Sequence, residues 1–271
     1  MTGTANAAEL KSRSLVGIIG PDWRDFLQGL LSQDVETLRP GELRFGALLT
    51  PQGKLLFDLF ILGRDDGCWL DVAADRRDAL IQRLTIYKLR AKVEIAAVDA
   101  SVWALWGGDA SGWPADPRLS ALGWRGYSVE TPAANIADEA AYDAMRLALG
   151  VPDPARDCPS ETTYPIEANF DLLNGIDFQK GCFVGQETTS RMKRRGAIKT
   201  RMLPIDFEGA APVFGAEILA GTLRAGEVHS GEEGRAMALL RLDRIEGASL
   251  TVDDRAVTVA TPAYFDAKLN P

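Results

Sequence analysis

Cys182 stands in the run Lys180-Gly181-Cys182-Phe183-Val184-Gly185-Gln186-Glu187. Gly181 precedes the thiol, Val184-Gly185 follows it, and the next stretch, Gln186 to Arg195, has helical composition. That order places Cys182 near a helix start, where the macrodipole and neighbouring Lys180 both favour the thiolate. A thiolate there can serve as a nucleophile or as a metal or cluster ligand; the alternative is a small buried apolar group. Cys68 and Cys158 lack such a setting and read as structural. Three cysteines, odd in number and far apart, form neither a disulfide framework nor a CxxC pair, and they fit a reducing compartment.

Carboxylates pose the second question. Asp58 is the one polar residue in Leu55 to Leu62, and Asp71 sits in Trp69-Leu70-Asp71-Val72. A carboxylate in such a run is costly to bury alone. It lies either on the polar face of an edge strand, the stronger alternative for Asp71, or in a cavity, where it can accept hydrogen bonds from a heterocycle. Glu167 and Asn169, just after Pro165 in a segment read as extended, either line the same pocket or form a helix cap and its partner. Residues 191–201 hold six basic side chains (Arg191, Lys193, Arg194, Arg195, Lys199, Arg201) and no acid. They read as a site for a polyanionic tail or phosphate, or as a solvated helix face. His229 is the only histidine, which argues against a histidine-rich metal site; Ser230-Gly231 beside it suggests a surface turn.

The elements that must position these groups alternate between helix and strand patterns. Pro21 to Leu31 reads as a helix, followed by strands at Leu43 to Leu49, Leu55 to Leu62 and Trp69 to Ala73, the last two joined as a hairpin. Asp75 is placed to cap a helix running to about Arg90. Val93 to Val98 and Val102 to Trp106 return to strand character, Gly107 to Pro117 is a loop, and Asp138 to Leu149 is a helix stopped by Gly150. After about Thr200 short apolar runs are punctuated by glycine, the texture of a small β-barrel or sandwich. We therefore expect an α+β body over 1–200, in two subdomains, and a β-rich unit over 201–271. The N-terminal residues to Leu15 read as a short loose arm without a signal-peptide core. No apolar run approaches a membrane span, and a net charge of −8 leaves no global footprint for nucleic acid. These features suggest a cytoplasmic protein with neither membrane nor direct nucleic-acid partners.

Lys180 to Glu187 and its basic extension Thr189-Ser190-Arg191-Met192-Lys193-Arg194-Arg195-Gly196 resemble the signature of the YgfZ/GcvT-like folate-binding family, which includes mitochondrial iron–sulfur factors of the same type. Pro165-Ile166-Glu167-Ala168-Asn169, Phe26 to Val35, and Thr50-Pro51-Gln52-Gly53-Lys54 followed by Asp58 resemble further segments of that family. The resemblance implies an aminomethyltransferase-like ring of α+β subdomains with a C-terminal β-barrel, and tetrahydrofolate or a folate derivative as cofactor. It implies that carboxylates such as Asp58 or Glu167 meet the pterin and that the basic patch around Arg191 meets the glutamate tail, with Asn169, Lys180, Gln186 and Glu187 completing the site and Cys182 as the working thiol. In Arg146-Leu147-Ala148-Leu149-Gly150, Ala148 replaces the glutamate that true aminomethyltransferases carry. That departure turns the expectation toward folate-linked assembly or repair of [4Fe–4S] clusters in client enzymes, radical-SAM tRNA-modifying enzymes included. A folate-dependent one-carbon transferase working through Asp58 is the alternative, and an RNA-binding module on residues 191–201 is a second.

Overall fold

The computed structural model describes residues 4–110, 112–196 and 198–265, the side chain of Arg195 excepted. Strands β1 (Asn6–Glu9) and β2 (Arg13–Ile19) lead into helix α1 (Trp23–Gln28), then strands β3 (Leu43–Leu49), β4 (Leu55–Gly63) and β5 (Gly67–Ala73). Helix α2 (Arg77–Lys88) is followed by β6 (Glu94–Val98), β7 (Ser101–Trp106), β8 (Trp124–Ser128) and β9 (Asn135–Ala137). Helices α3 (Glu139–Ala148), α4 (Pro154–Asp157) and α5 (Gln186–Arg195) precede the last strands. These are β10 (Thr200–Asp206), β11 (Glu217–Ala220), β12 (Leu223–Glu232), β13 (Arg235–Arg241), β14 (Leu250–Val252) and β15 (Arg255–Val259), with the short helix α6 (Leu242–Ile245) between β13 and β14.

The strands make three sheets. One is five-stranded in the order β3-β4-β5-β2-β6, one is four-stranded in the order β8-β7-β1-β9, and β10-β13-β12-β11-β14-β15 close into a barrel. The architecture is thus α+β with a closed six-strand barrel at the C-terminal side. Side-chain alternation explains why β4 is buried along its whole length. Leu59 and Ile61 join the core beneath α1 and α2, with Val16, Leu27, Leu70 and Leu84. Leu55, Phe60 and Leu62 enter the opposite core, with Phe45, Ile166, Phe170 and Met202. Asp58 shares the parity of Phe60. Asp71 on β5 lies directly opposite Phe60 in the antiparallel register, and Leu15 on β2 lies opposite Asp71. One face of this sheet therefore collects Arg13, Asp58 and Asp71 by strand geometry alone.

Four local expectations are corrected. The supposed N-terminal arm, whose residues 1–3 lie outside the described residues, holds strand β1 and the start of β2; β1 is an interior strand of its sheet, pairing antiparallel with β7 and parallel with β9, with the small side chains of Ala7 and Ala8 fully buried. Asp75 makes no capping bond; it lies in a 3₁₀ turn, Ala74–Arg76, that precedes α2. The stretch after Pro165 is not extended but a chain of tight turns, with Phe170 N–H donating to Pro165 O and Asn169 at φ 60°, a left-handed conformation that Asn tolerates. His229 is not on a surface turn: it is buried in β12 against Phe214, its Nδ1 meeting the backbone oxygen of Asp157.

Candidate functional site

Residues 177–185 form the loop that carries Cys182, and almost every other part of it is fastened down. Asp177 N–H donates to Ser32 O at 2.9 Å. Its carboxylate Oδ1 accepts from the backbone N–H groups of Gln179 at 2.7 Å and Lys180 at 3.1 Å. Lys180 turns inward, and its Nζ donates to the carbonyls of Gln28 at 2.8 Å, Leu31 at 2.6 Å and Gln33 at 2.9 Å. An ammonium has three protons, and all three are used. Burial pushes the Lys180 pKa down to about 8, against the opposing pull of Asp34 and Asp177. Phe183 is buried, and Val184 N–H reaches Gly29 O at 3.2 Å.

Gly185 then takes φ 81° as the N-cap of α5, packed so closely on the β3–β4 turn that a Cβ would lie 2.6 Å from Thr50 O. Between these anchors Gly181 faces open space and Cys182 is exposed. The thiol is displayed, not pocketed. It lies three residues before the N-cap, and its neighbour Lys180 is spent on carbonyls 147 to 152 positions away. Cys68 and Cys158 are buried, and burial drives both thiols well up from their ordinary range.

The other predicted site residues do not converge on one cavity. Glu167 Oε2 accepts from Tyr164 N–H at 2.9 Å, a turn cap; burial raises its pKa, against that bond and nearby Lys54. Asn169 is buried, donating to Met202 O at 2.7 Å and Tyr264 Oη at 3.3 Å, while its Oδ1 accepts from Arg201 at 3.3 Å. It ties the turn segment to the barrel. Gln186, half-buried, and Glu187, exposed, open α5 at its positive dipole end, and Arg191 is exposed further along. Of the basic run, Arg201 is buried and bidentate to Asp171, at 2.6 and 2.9 Å. Arg191, Lys193, Arg194 and Lys199 face solvent, and the side chain of Arg195 lies outside the described residues. Ala148 ends α3 on the surface, where its carbonyl accepts from Arg235.

Asp58 does face an interior cavity, but an arginine already holds it. Arg13 Nη1 donates to Asp58 Oδ2 at 2.7 Å, and its Nε donates to Asp71 Oδ1 at 2.7 Å. Arg125 Nε donates to the other oxygen of Asp71 at 2.7 Å, and Tyr127 Oη adds a bond at 3.2 Å. Desolvation alone would raise the Asp71 carboxyl, but Arg125 and Arg13 outweigh it and hold the pKa low. The guanidinium of Arg125 lies 3.7 Å from the Phe60 ring centroid and that of Arg118, paired with Asp116, at 4.7 Å. Arg13, Arg118 and Arg125 gave no sequence signal, because none stands in a continuous apolar run of the kind that surrounds Asp58. Only the stranded carboxylates hinted at partners.

Tetrahydrofolate, the cofactor implied by the resemblance, can be tested against this space. The cavity bounded by Arg13, Asp58, Phe60, Arg118 and Arg125 measures about 30 Å³, as does a second beside Asp58 and Cys158. That suits an ordered water or two, whereas small-molecule pockets run to roughly 300–1,000 Å³. A larger hollow of about 700 Å³ opens on the surface at Trp23, Asp66 and Lys92, and none of the predicted folate ligands lines it. As arranged, the residues around Asp58 do not fit a pterin. Among the described residues no group of three or more His, Cys, Asp or Glu is placed to hold a metal ion.

The architecture is that of an aminomethyltransferase-type protein. It superposes on the glycine cleavage system aminomethyltransferase T from Bartonella henselae with a TM-score of 0.77, covering 97% of this chain and 87% of that one, at 18% identity. At that identity the likeness establishes the fold alone. In sequence, residues 199–267 match the family model described as the CAF17 C-terminal beta-barrel domain. Proteins named mitochondrial iron–sulfur cluster assembly factor IBA57 homologues are 36% identical over 229 residues in Phaeosphaeria nodorum and 32% over 249 in Neurospora crassa. The matches take in 74% and 79% of this chain but only 55% and 56% of those relatives, so the chain spans little more than half their length. The human mitochondrial IBA57 factor is 29% identical over 287 residues, covering 90% of this chain and 81% of that protein.

The expected cytoplasmic location is overturned by these relatives, which are named as mitochondrial. No helix among the described residues is long and apolar enough to cross a membrane.

Proposed function

We propose that this chain is an accessory factor in iron–sulfur cluster assembly and that Cys182 is its point of contact with the cluster or with a client thiol. The observation that carries this reading is an exposed thiol on a loop anchored to the body on both sides of it, through Asp177 and Lys180 before and Val184 after. Likeness to the IBA57 assembly factors supplies the class of cargo. A single displayed cysteine cannot enclose a cluster, so the remaining ligands come from the carrier or client that meets it, and the protein's part is to hold one thiolate in fixed geometry while ligands exchange. Tetrahydrofolate is no part of this reading, and neither is one-carbon transfer at Asp58, since Arg13 occupies the carboxylate and the space beside it is water-sized.

The test is complementation. Cells lacking the protein receive the wild-type chain or Cys182→Ala, and the activity of a [4Fe–4S] client, for example a radical-SAM tRNA-modifying enzyme, is compared with that of a cluster-free enzyme. Loss of client activity alone, with the variant present at normal level, is the expected result. Normal client activity with Cys182→Ala rejects the role of the thiol.

A further inference from the structure

The surface around Cys182 carries charge and apolar area that the thiol alone does not need. Phe178, in the same fastened loop, is 37% exposed. Lys193 on α5 lies over its ring, with Nζ 5.4 Å from the centroid, so the helix and the loop make one continuous face. Arg191 and Arg194, three residues apart on α5 and therefore neighbours on its surface, are both exposed, as is Lys199 beyond the helix. Against these four cations the segment 178–199 has one acid, Glu187. Of the nearby carboxylates, Asp171 is buried against Arg201 and also lies 3.8 Å from Lys193 Nζ, so that Lys193 is already paired and Arg191, Arg194 and Lys199 carry the outward charge; half-buried Asp177 has its Oδ1 engaged by two backbone amides. On a chain of net charge −8 this segregation leaves a positive face with an aromatic centre beside the only exposed cysteine among the described residues.

We infer that this face, made by Phe178, Cys182, Arg191, Lys193, Arg194 and Lys199, is a docking surface for a second protein that presents its own cysteine within an acidic surface. Charge complementarity selects the partner's sign and speeds encounter. The Phe178 edge supplies apolar contact, and the exposed thiol sits where the partner's sulfur must arrive. An RNA is a poorer fit because the Phe178 ring already has Lys193 over it and is not free to stack on a base. This inference rests on the proposed role of Cys182 only for the partner's purpose; the preference for an acidic partner stands separately.

Two synthetic peptides test it on the full chain. Each carries one cysteine activated as its 2-thiopyridyl disulfide, among four glutamates in one peptide and four lysines in the other. The Cys182 thiolate attacks the peptide cysteine sulfur, the new disulfide forms, and 2-thiopyridine leaves with the bonding pair and takes up a proton, giving an absorbance change. Cys68 and Cys158 are buried, so the fast phase reports Cys182 and is absent from Cys182→Ser. At low salt the glutamate peptide should react at least about tenfold faster than the lysine peptide, as electrostatic steering commonly gives. That advantage should shrink as the Debye length falls to about 8 Å at physiological ionic strength. It should vanish in the double variant Arg191→Glu, Arg194→Glu.

Equal rates for the two peptides, or a faster lysine peptide, overturn the inference. Salt-sensitive binding of a single-stranded RNA 20-mer, lost in the same double variant and accompanied by equal peptide rates, overturns it in favour of nucleic acid. If the peptide preference holds while Cys182→Ala cells keep client activity, the cluster role fails and the docking face survives; the opposite pair of results removes the docking face alone.

Discussion

The loop around Cys182 and the pocket around Asp71 are both built on charges taken out of water, yet they end in opposite states. At Asp71 two arginines, a tyrosine and an aromatic face close on one carboxylate until almost no volume is left. At Lys180 one ammonium closes on three backbone carbonyls, and the residue two positions later is left in solvent. The first arrangement uses charge to fill the space beside Asp58 that the resemblance had assigned to a ligand. The second uses charge to stiffen a loop so that its neighbour can be offered outward. A buried charge by itself therefore does not mark a site. What matters is whether its partners surround a space or brace an edge.

Breaking each arrangement in turn should separate the two. Asp71→Ala strands Arg13 and Arg125 in the interior and should have the largest effect, a loss of about 3–5 kcal/mol in urea unfolding, as for other broken buried pairs. Alkylation of Cys182 well below the melting temperature should nonetheless keep its wild-type rate; a faster rate would mean that the two regions are coupled. Lys180→Met leaves the carbonyls of Gln28, Leu31 and Gln33 without their donor and should cost about 2–3 kcal/mol. Hydrogen exchange should rise at residues 28–33 and 177–184, with the sheet around Asp71 unchanged.

A third test uses pH. Asp153, which lines the small cavity beside Arg13 and Asp58 and pairs with Arg156, has its pKa lowered from 3.8 to about 2: burial opposes the shift, and Arg146 and Arg156 drive it. Its folded pKa lies below the unfolded one, so its stabilisation is complete above about pH 4 and disappears as pH falls toward 2. Asp153→Asn should lose about 2 kcal/mol at neutral pH and converge with wild type near pH 2, measured by denaturant unfolding across that range. Cys182→Ser should be the mildest, within about 0.5 kcal/mol of wild type in the same assay, because nothing packs on an exposed side chain. A larger loss would show that the thiol supports the fold and is not simply displayed by it.

Much of the scaffold was legible in the sequence because its signals are local. The polar turn between Leu62 and Trp69 announced the β4–β5 hairpin, and the run from Gln186 to Arg195 became α5 with those same limits. Strands β1, β2, β8 and β9 were missed: β1, β8 and β9 are three to five residues with alanines or glycine and carry too little alternation to be read, and β2 begins inside the stretch to Leu15 that was read as a loose arm. The site divided in the same way. Cys182 could be singled out from its flanking glycines, but the direction of Lys180 depends on carbonyls about 150 positions earlier, which no window near the signature contains. For Asp58 the sequence left an edge-strand face and a cavity both open, and its partner Arg13 lies on a strand whose start the sequence presented as a loose arm.

The three bonds of Lys180 also bear on how the chain folds. They join segments 147 to 152 residues apart, and Ser32 with Gly175 spans another 143. Such contacts close large loops and assemble late when most of the remaining structure is already in place. A partly folded chain can hold its hairpins and its barrel and still lack the brace beneath Cys182. The geometry of that thiol thus reports that the distant parts of the chain have come together, and a partner that recognises the braced loop would engage only molecules that have finished folding.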